Sequence, residues 1–195
     1  MIYRQTDLGQ SAADISKRLN FILTGYCKKV RWIWIDKFVE FNSGQNAAAI
    51  KNVTLAEEHL HDHFPGFPVM PECLMIEAMA QTAGILVGEA QQFQEKVILA
   101  KIKKAVFFDF VKPGDTIRLE TKIDSIAPEA ASTSGKITRS EKMIAEIDLM
   151  FSHIDQNLAG KQFPEENFVF GTDASVFELI LRDVLSDIRG KSEPN

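Results

Sequence analysis

The stretch from His63 to Gly84, HFPGFPVMPECLMIEAMAQTAG, constrains the fold more than any other part of the sequence. Pro65, Pro68 and Pro71 each fix their own φ and push the preceding residue out of the helical region, so a stiff, extended loop is expected there. Pro71 then suits the first position of a helix, where its missing N–H leaves nothing unpaired. From Cys73 to Val87 only Glu77, Gln81 and Thr82 interrupt a run of apolar and small residues, so this helix should have almost no solvent face and should be buried. It reads as too short and too polar to span a bilayer.

A carboxylate on a buried helix needs a physical explanation, because an ionised Glu in apolar surroundings costs several kcal/mol unless it is paired or protonated. Glu77, Gln81, Gly84 and Gly88 fall at helical spacing on one face, which combines an acid, an amide and two positions without side chains. Such a face suits a pocket wall. It suits equally well a Glu that only tethers a neighbouring loop, and the helical pattern alone does not separate the two.

The flanking sequence has the pattern of a sheet around this helix. Residues 31 to 41 alternate aromatic and β-branched side chains, and after the turn signal Asn42–Ser43–Gly44 a second run extends to Thr54. Four more strands are expected at about 97–110, 115–127, 130–139 and 142–152, with a strong turn at Lys112–Pro113–Gly114–Asp115. Two strands, an apolar helix and four strands describe an α+β domain, a curled antiparallel sheet wrapped around a buried central helix. Ser11 and Asp14 open a short amphipathic helix at about 12–24, read as a clip over the core. Beyond Asn157 a polar link leads to another amphipathic helix ending near Arg189, with Phe177, Ile180, Leu181, Val184, Leu185 and Ile188 as its apolar stripe. The expected division is 1–30 as helix and lead-in, 31–157 as the domain, and 158–195 as linker and C-terminal helix.

A net charge of −5 argues against a nucleic-acid partner, whose binders usually display a basic stripe. The two cysteines, Cys27 and Cys73, lack metal-ligand spacing and fit a reducing cytoplasm. The opening MIYRQTDLGQ lacks the regions of a signal peptide, so secretion is not expected. His59, His61 and His63 alternate and would share one face of an extended segment beside Glu57, Glu58 and Asp62, which raises a zinc site as a secondary reading.

The segment from His63 onward resembles the active-site signature of the beta-hydroxyacyl-acyl-carrier-protein dehydratases of the FabZ and FabA type. There an HFP loop and PVMP run into a central helix bearing Glu or Asp. KNVT at 51–54, VKPGDTIRLE at 111–120 and the strand RWIWIDKFVEF extend the similarity over roughly residues 31–152. The resemblance implies a hot-dog fold, a cytoplasmic lyase of fatty-acid or related acyl-chain synthesis, and an acyl group carried on acyl carrier protein or coenzyme A. It implies a homodimer with shared active sites, with a trimer of dimers as a further level of assembly, no membrane partner and no cofactor.

By the same resemblance His63 is the base and Glu77 the acid or water-positioning group, each site taking one from either subunit. The Val69 carbonyl would orient His63, and the amide of Glu72 would contribute to an oxyanion site. Phe64, Gly66, Cys73 and Gln81 would line the substrate, with Gln81 alternatively holding the Glu77 carboxyl group. Burial would raise the Glu77 pKa and enlarge its protonated fraction.

The chain also departs from the family pattern. The LPHR lead-in is replaced by GYCKKV, Glu72 stands where Gly follows PVMP, and Asp62 stands where Gly precedes His. Glu72 could crowd the thioester or require a backbone angle that only Gly takes easily. Asp62 could make His63 a poorer base. Val106, Phe108 and Asp109 replace basic residues that would attract an acidic carrier, leaving Lys101, Lys103, Lys104 and Lys112 nearby. Two other readings therefore stand beside the dehydratase: a non-catalytic acyl-thioester binding or assembly subunit, and a hot-dog thioesterase.

Overall fold

The computed structural model describes residues 32–92, 96–154, 157–158 and 161–162. The expected helices at 12–24 and near 173–189 lie outside the described residues. The chain divides into two compact units, Met1–Trp32 and Ile33–Asn195, and the fold is that of the second.

Its elements are β1 (Lys37–Asn42), β2 (Asn46–Asn52), α1 (His59–Asp62), α2 (Glu72–Ala90), β3 (Lys96–Phe107), β4 (Thr116–Ile126), β5 (Ala130–Arg139), β6 (Lys142–Ile154), β7 (Asn157–Leu158) and β8 (Lys161–Gln162). Six strands form one antiparallel sheet in the order β1-β2-β4-β5-β6-β3, with α2 packed against it. This is the architecture that the alternating runs imply. β7 and β8 pair separately.

Period-two alternation explains the two sides of the sheet. Ile117, Leu119 and Thr121 of β4 are buried together with Ala47, Ala49, Ile137, Ile147 and Leu149. Between them Arg118 and Glu120 point outward, where Arg118 bonds Glu40 at 2.6 Å and Glu120 at 2.8 Å, and Lys136 reaches Glu120 at 2.5 Å. The hydrogen bond from Lys136, then that from Arg118, holds the Glu120 carboxyl below the usual carboxylate range.

Helix α2 is buried continuously from Ala78 to Gly88, which accounts for its lack of a polar face. Its ends differ from the sequence expectation. The chain enters through Pro71 with ψ at 138°, so Pro71 is the N-cap and the first helical residue is Glu72. The first turn emerges from the cover of the sheet: Cys73 is exposed, and Leu74, Ile76 and Glu77 are half-buried. At 19 residues α2 is also long and apolar enough, by length and composition, to cross a membrane, but 67% of that window is buried inside the protein and it serves as the core helix. The run at 31–41 enters the sheet late. Residues 32–36 are extended but outside the ladder, and Asp36 N–H to the Ile50 carbonyl at 2.8 Å precedes β1.

Helix and sheet approach most closely at Gly135 on β5. A Cβ there would lie 2.6 Å from Met79 Sδ and 3.1 Å from the Ile147 carbonyl oxygen, and Met79 is fully buried. Gly135→Ala is expected to destabilise the fold by about 1–3 kcal/mol, as overpacking does. Urea unfolding should show a lower midpoint at unchanged slope, and Gly135→Ala with Met79→Ala should cost less than the sum of the single changes.

Candidate active site

The loop between α1 and α2 closes on itself. Val69 N–H donates to the His63 carbonyl at 2.9 Å, and His63 Nδ1 lies 2.9 Å from the Val69 carbonyl oxygen, so the two residues exchange a backbone and a side-chain hydrogen bond. Phe64 and Phe67 bond each other's backbones at 3.0 and 2.9 Å, and the intervening Gly66 takes φ +78°, which favours glycine. Met70 N–H donates to the Val111 carbonyl at 2.8 Å and ties the loop to the segment after β3. From below, the His59 carbonyl accepts the His63 N–H at 3.1 Å. The His63 ring stacks on Phe64 with centroids 4.0 Å apart.

This geometry sets the chemistry of the imidazole. A carbonyl oxygen only accepts, so Nδ1 carries the hydrogen and Nε2 of the neutral ring presents a lone pair. The half-buried ring, held by the Val69 carbonyl and stacked on Phe64, thus offers Nε2 as a proton acceptor.

On α2 the carboxyl group is held from its own helix. Gln81 Nε2 donates to Glu77 Oε1 at 2.8 Å, while Gln81 Oε1 accepts the Trp34 N–H at 2.8 Å. The Trp34 bond fixes which end of the amide faces Glu77, and a donor on Oε1 leaves Oε2 for another partner. No hydrogen bond joins His63 to Glu77 within the chain. The N–H groups of Glu72 and Cys73 have no hydrogen-bond partner among the described residues, and α2 has no side-chain cap. Glu72 does not adopt the positive φ that only Gly takes easily. Its charge in the first turn suits the helix dipole.

The remaining sequence candidates surround this centre or fall away from it. Phe64 and Phe67 are exposed around Gly66, and Lys112 Nζ lies 4.5 Å over the Phe67 ring. Cys73 is exposed rather than packed in an apolar helix, because the first turn of α2 projects past the sheet. The zinc reading is overturned. Residues 59–62 are helical, so the histidines do not share one extended face, and among the described residues no group of three His, Cys, Asp or Glu is placed to hold a metal. His59 instead packs edge-on to Trp34, and His61 Nε2 bonds the Leu55 carbonyl at 2.9 Å. Asp109, two residues past the end of β3 in the run that lacks the expected basic residues, accepts from Arg139 at 2.9 Å and Lys142 at 2.8 Å. The hydrogen bond from Lys142 leads in holding its carboxyl below the ordinary range.

Sequence reasoning did not single out Trp34 or Lys51, and it named His59 only for the zinc reading. Lys51 is buried with its ammonium on Glu57 at 3.1 Å and the Asn52 carbonyl at 3.0 Å, and the KNVT run was the available signal.

The family model described as a FabA-like domain matches residues 30–148. The chain is 39% identical over 121 residues to the 3-hydroxyacyl-[acyl-carrier-protein] dehydratase FabZ of Caldanaerobacter subterraneus subsp. tengcongensis, covering 62% of this chain and 86% of that one. It is 36% identical over 129 residues to the enzyme of the same name from Thermomicrobium roseum, covering 66% and 87%. Among solved structures the dehydratase heterocomplex ApeI:P from Xenorhabdus doucetiae superposes with TM-score 0.53 at 13% identity, over 64% of this chain and 84% of that one. A Streptococcus mutans protein bound to acetyl-CoA does so with TM-score 0.53 at 12% identity, over 66% and 96%. These two show the fold alone.

Gln81→Leu would leave the buried Trp34 N–H without the amide acceptor and Glu77 without its donor. A loss of about 1–3 kcal/mol in unfolding free energy is expected, the usual penalty for a buried unsatisfied group, measurable in urea.

Proposed function

The chain belongs to the family of FabA-like domains, and within that family we propose that His63 is the base and Glu77 the acid of its reaction. The reaction is dehydration of a 3-hydroxyacyl group on acyl carrier protein to the enoyl thioester, a hydro-lyase step of fatty-acid synthesis. His63 Nε2 removes the proton from the carbon next to the thioester carbonyl. The electron pair forms the carbon–carbon double bond, and the hydroxyl leaves as water with a proton from Glu77. The N–H groups of Glu72 and Cys73, at the positive end of α2, face the charge that develops on the thioester oxygen. Coenzyme A thioesters present the same reacting atoms.

The observation that carries this reading is the Nδ1 bond from His63 to Val69, since it alone determines which ring nitrogen is free to act as base. Glu72, a ground for the non-catalytic reading, occupies an ordinary helical position. No observation favours that reading or hydrolysis.

The active unit is a dimer in which His63 of one subunit meets Glu77 of the other. Two features support it. His63 and Glu77 are not bonded within one chain, and β3 is a twelve-residue edge strand, among the described residues, with Ile102 and Val106 exposed. A long exposed edge of this kind is ordinarily paired or covered. The sparse cysteines fit a reducing cytoplasm as the place of the reaction.

Turnover of 3-hydroxybutyryl-acyl carrier protein, read as enoyl product, tests the assignment. His63→Ala and Glu77→Gln should each lower kcat by about 10²- to 10⁴-fold, the usual contribution of a general acid or base, with the fold intact by circular dichroism. Wild-type rates in either variant would remove that residue from the chemistry.

A further inference from the structure

We propose that Trp34 and His59 are positioning residues that hold the Glu77 carboxyl group and the His63 loop as one rigid unit. This rests on the reading of Glu77 and His63 as acid and base. The path is short and every step has a distance. Glu77 Oε1 takes a hydrogen bond from Gln81 at 2.8 Å, and the Gln81 oxygen takes the Trp34 N–H at 2.8 Å. The Trp34 ring meets the His59 ring edge-on at 5.2 Å, and the His59 carbonyl takes the His63 N–H at 3.1 Å.

Trp34 needs such an anchor, because residues 32–36 lie outside the ladder. Its own backbone N–H is committed to the Gln81 side chain, so its buried ring fixes where that N–H points. Three groups bear on the ring or its neighbour. The His59 ring is on one edge, and Lys51 Nζ lies 5.8 Å above the Trp34 centroid. Glu57 holds that ammonium through Oε2 at 3.1 Å while its Oε1 takes the Thr54 N–H at 2.8 Å. Loss of the ring contact would free the Gln81 amide and, through it, the Glu77 oxygen. Misplacement of a reacting group by about 1 Å can lower a rate by about 10²-fold.

His59 also makes the contact sensitive to pH. The groups that face it are Glu57, Lys51, His63 and Trp34. Burial lowers its pKa from the ordinary 6.5, with Lys51 and His63 adding to the effect and Glu57 opposing it. Its Nε2 is buried without a hydrogen-bond partner among the described residues. As pH falls below 6.5 toward the lowered folded value, the unfolded chain binds more protons than the folded one, and the stability that the neutral ring contributes is lost.

The test uses the full chain and compares wild type, His59→Phe, His59→Ala and Trp34→Leu by circular dichroism, kcat, KM and the imidazole nitrogen chemical shifts of His63. His59→Phe keeps the aromatic edge and should keep kcat within about threefold near neutrality, while its stability no longer drops below pH 6.5 on account of this residue. His59→Ala and Trp34→Leu should lose about ten- to hundredfold in kcat with KM little changed, a split that general loosening of the fold does not produce. His63 nitrogen shifts should move in His59→Ala and stay in His59→Phe. Wild-type kcat in His59→Ala, or equal losses in the Phe and Ala variants, would overturn the positioning role. Absence of turnover in the wild type would overturn the acid–base reading instead, and the positioning role would then fall if the His63 shifts were unmoved by His59→Ala.

Discussion

Burial of α2 is the constraint on which the rest of the structure depends. A helix without a polar face gains free energy only if something wraps it, and each fully buried Met, Leu or Ile on it contributes about 1.5–3 kcal/mol. The six strands provide that wrapping with a face of Ala, Ile and Leu, and they come close enough that Gly135 has to give way to Met79. The cover stops short of the first turn. Glu77 therefore sits where the apolar interior ends, half-buried and bonded to Gln81, while the amides of Glu72 and Cys73, without a partner among the described residues, follow the loop that His63 opens. One packing problem produces both the core and the reactive edge.

Much of this was legible in the residues. The three prolines marked the loop, the apolar run marked the helix, and alternation in residues such as Ile117, Leu119 and Ile147 gave the strands that structure and family share. The hydrogen bond between His63 and Val69 was expected from a resemblance rather than from spacing. What was not legible depended on contacts distant in sequence. Nothing in WIWID says that Trp34 donates its N–H to a side chain 47 residues away, and alternating His59, His61 and His63 look extended until a single helical turn disperses them. The helix start was missed by one position because Pro71 serves as a cap as readily as a first residue.

The departures from the family pattern have physical readings of different kinds. Glu72 occupies the first helical position without a positive φ, so what it changes there is charge and side-chain bulk. Asp109 does more to change the surface. It gathers Arg139 and Lys142 onto one carboxylate between the exposed Phe108 and Phe110, so these two cations beyond β3 are paired, while Lys112 lies over the Phe67 ring. Screening by salt weakens the reach of charges so paired.

The central claim is that a working site takes His63 from one subunit and Glu77 from the other, and complementation tests it most directly. His63→Ala and Glu77→Gln chains would be unfolded together in equal amounts and refolded, and enoyl formation compared with that of each variant refolded alone. Random pairing makes half the dimers mixed, and each mixed dimer holds one intact site of two, so about a quarter of the wild-type rate is expected. If each site were built from a single chain, every site in the mixture would still carry one lesion. A rate no higher than that of the separate variants, with dimers formed, would contradict the account.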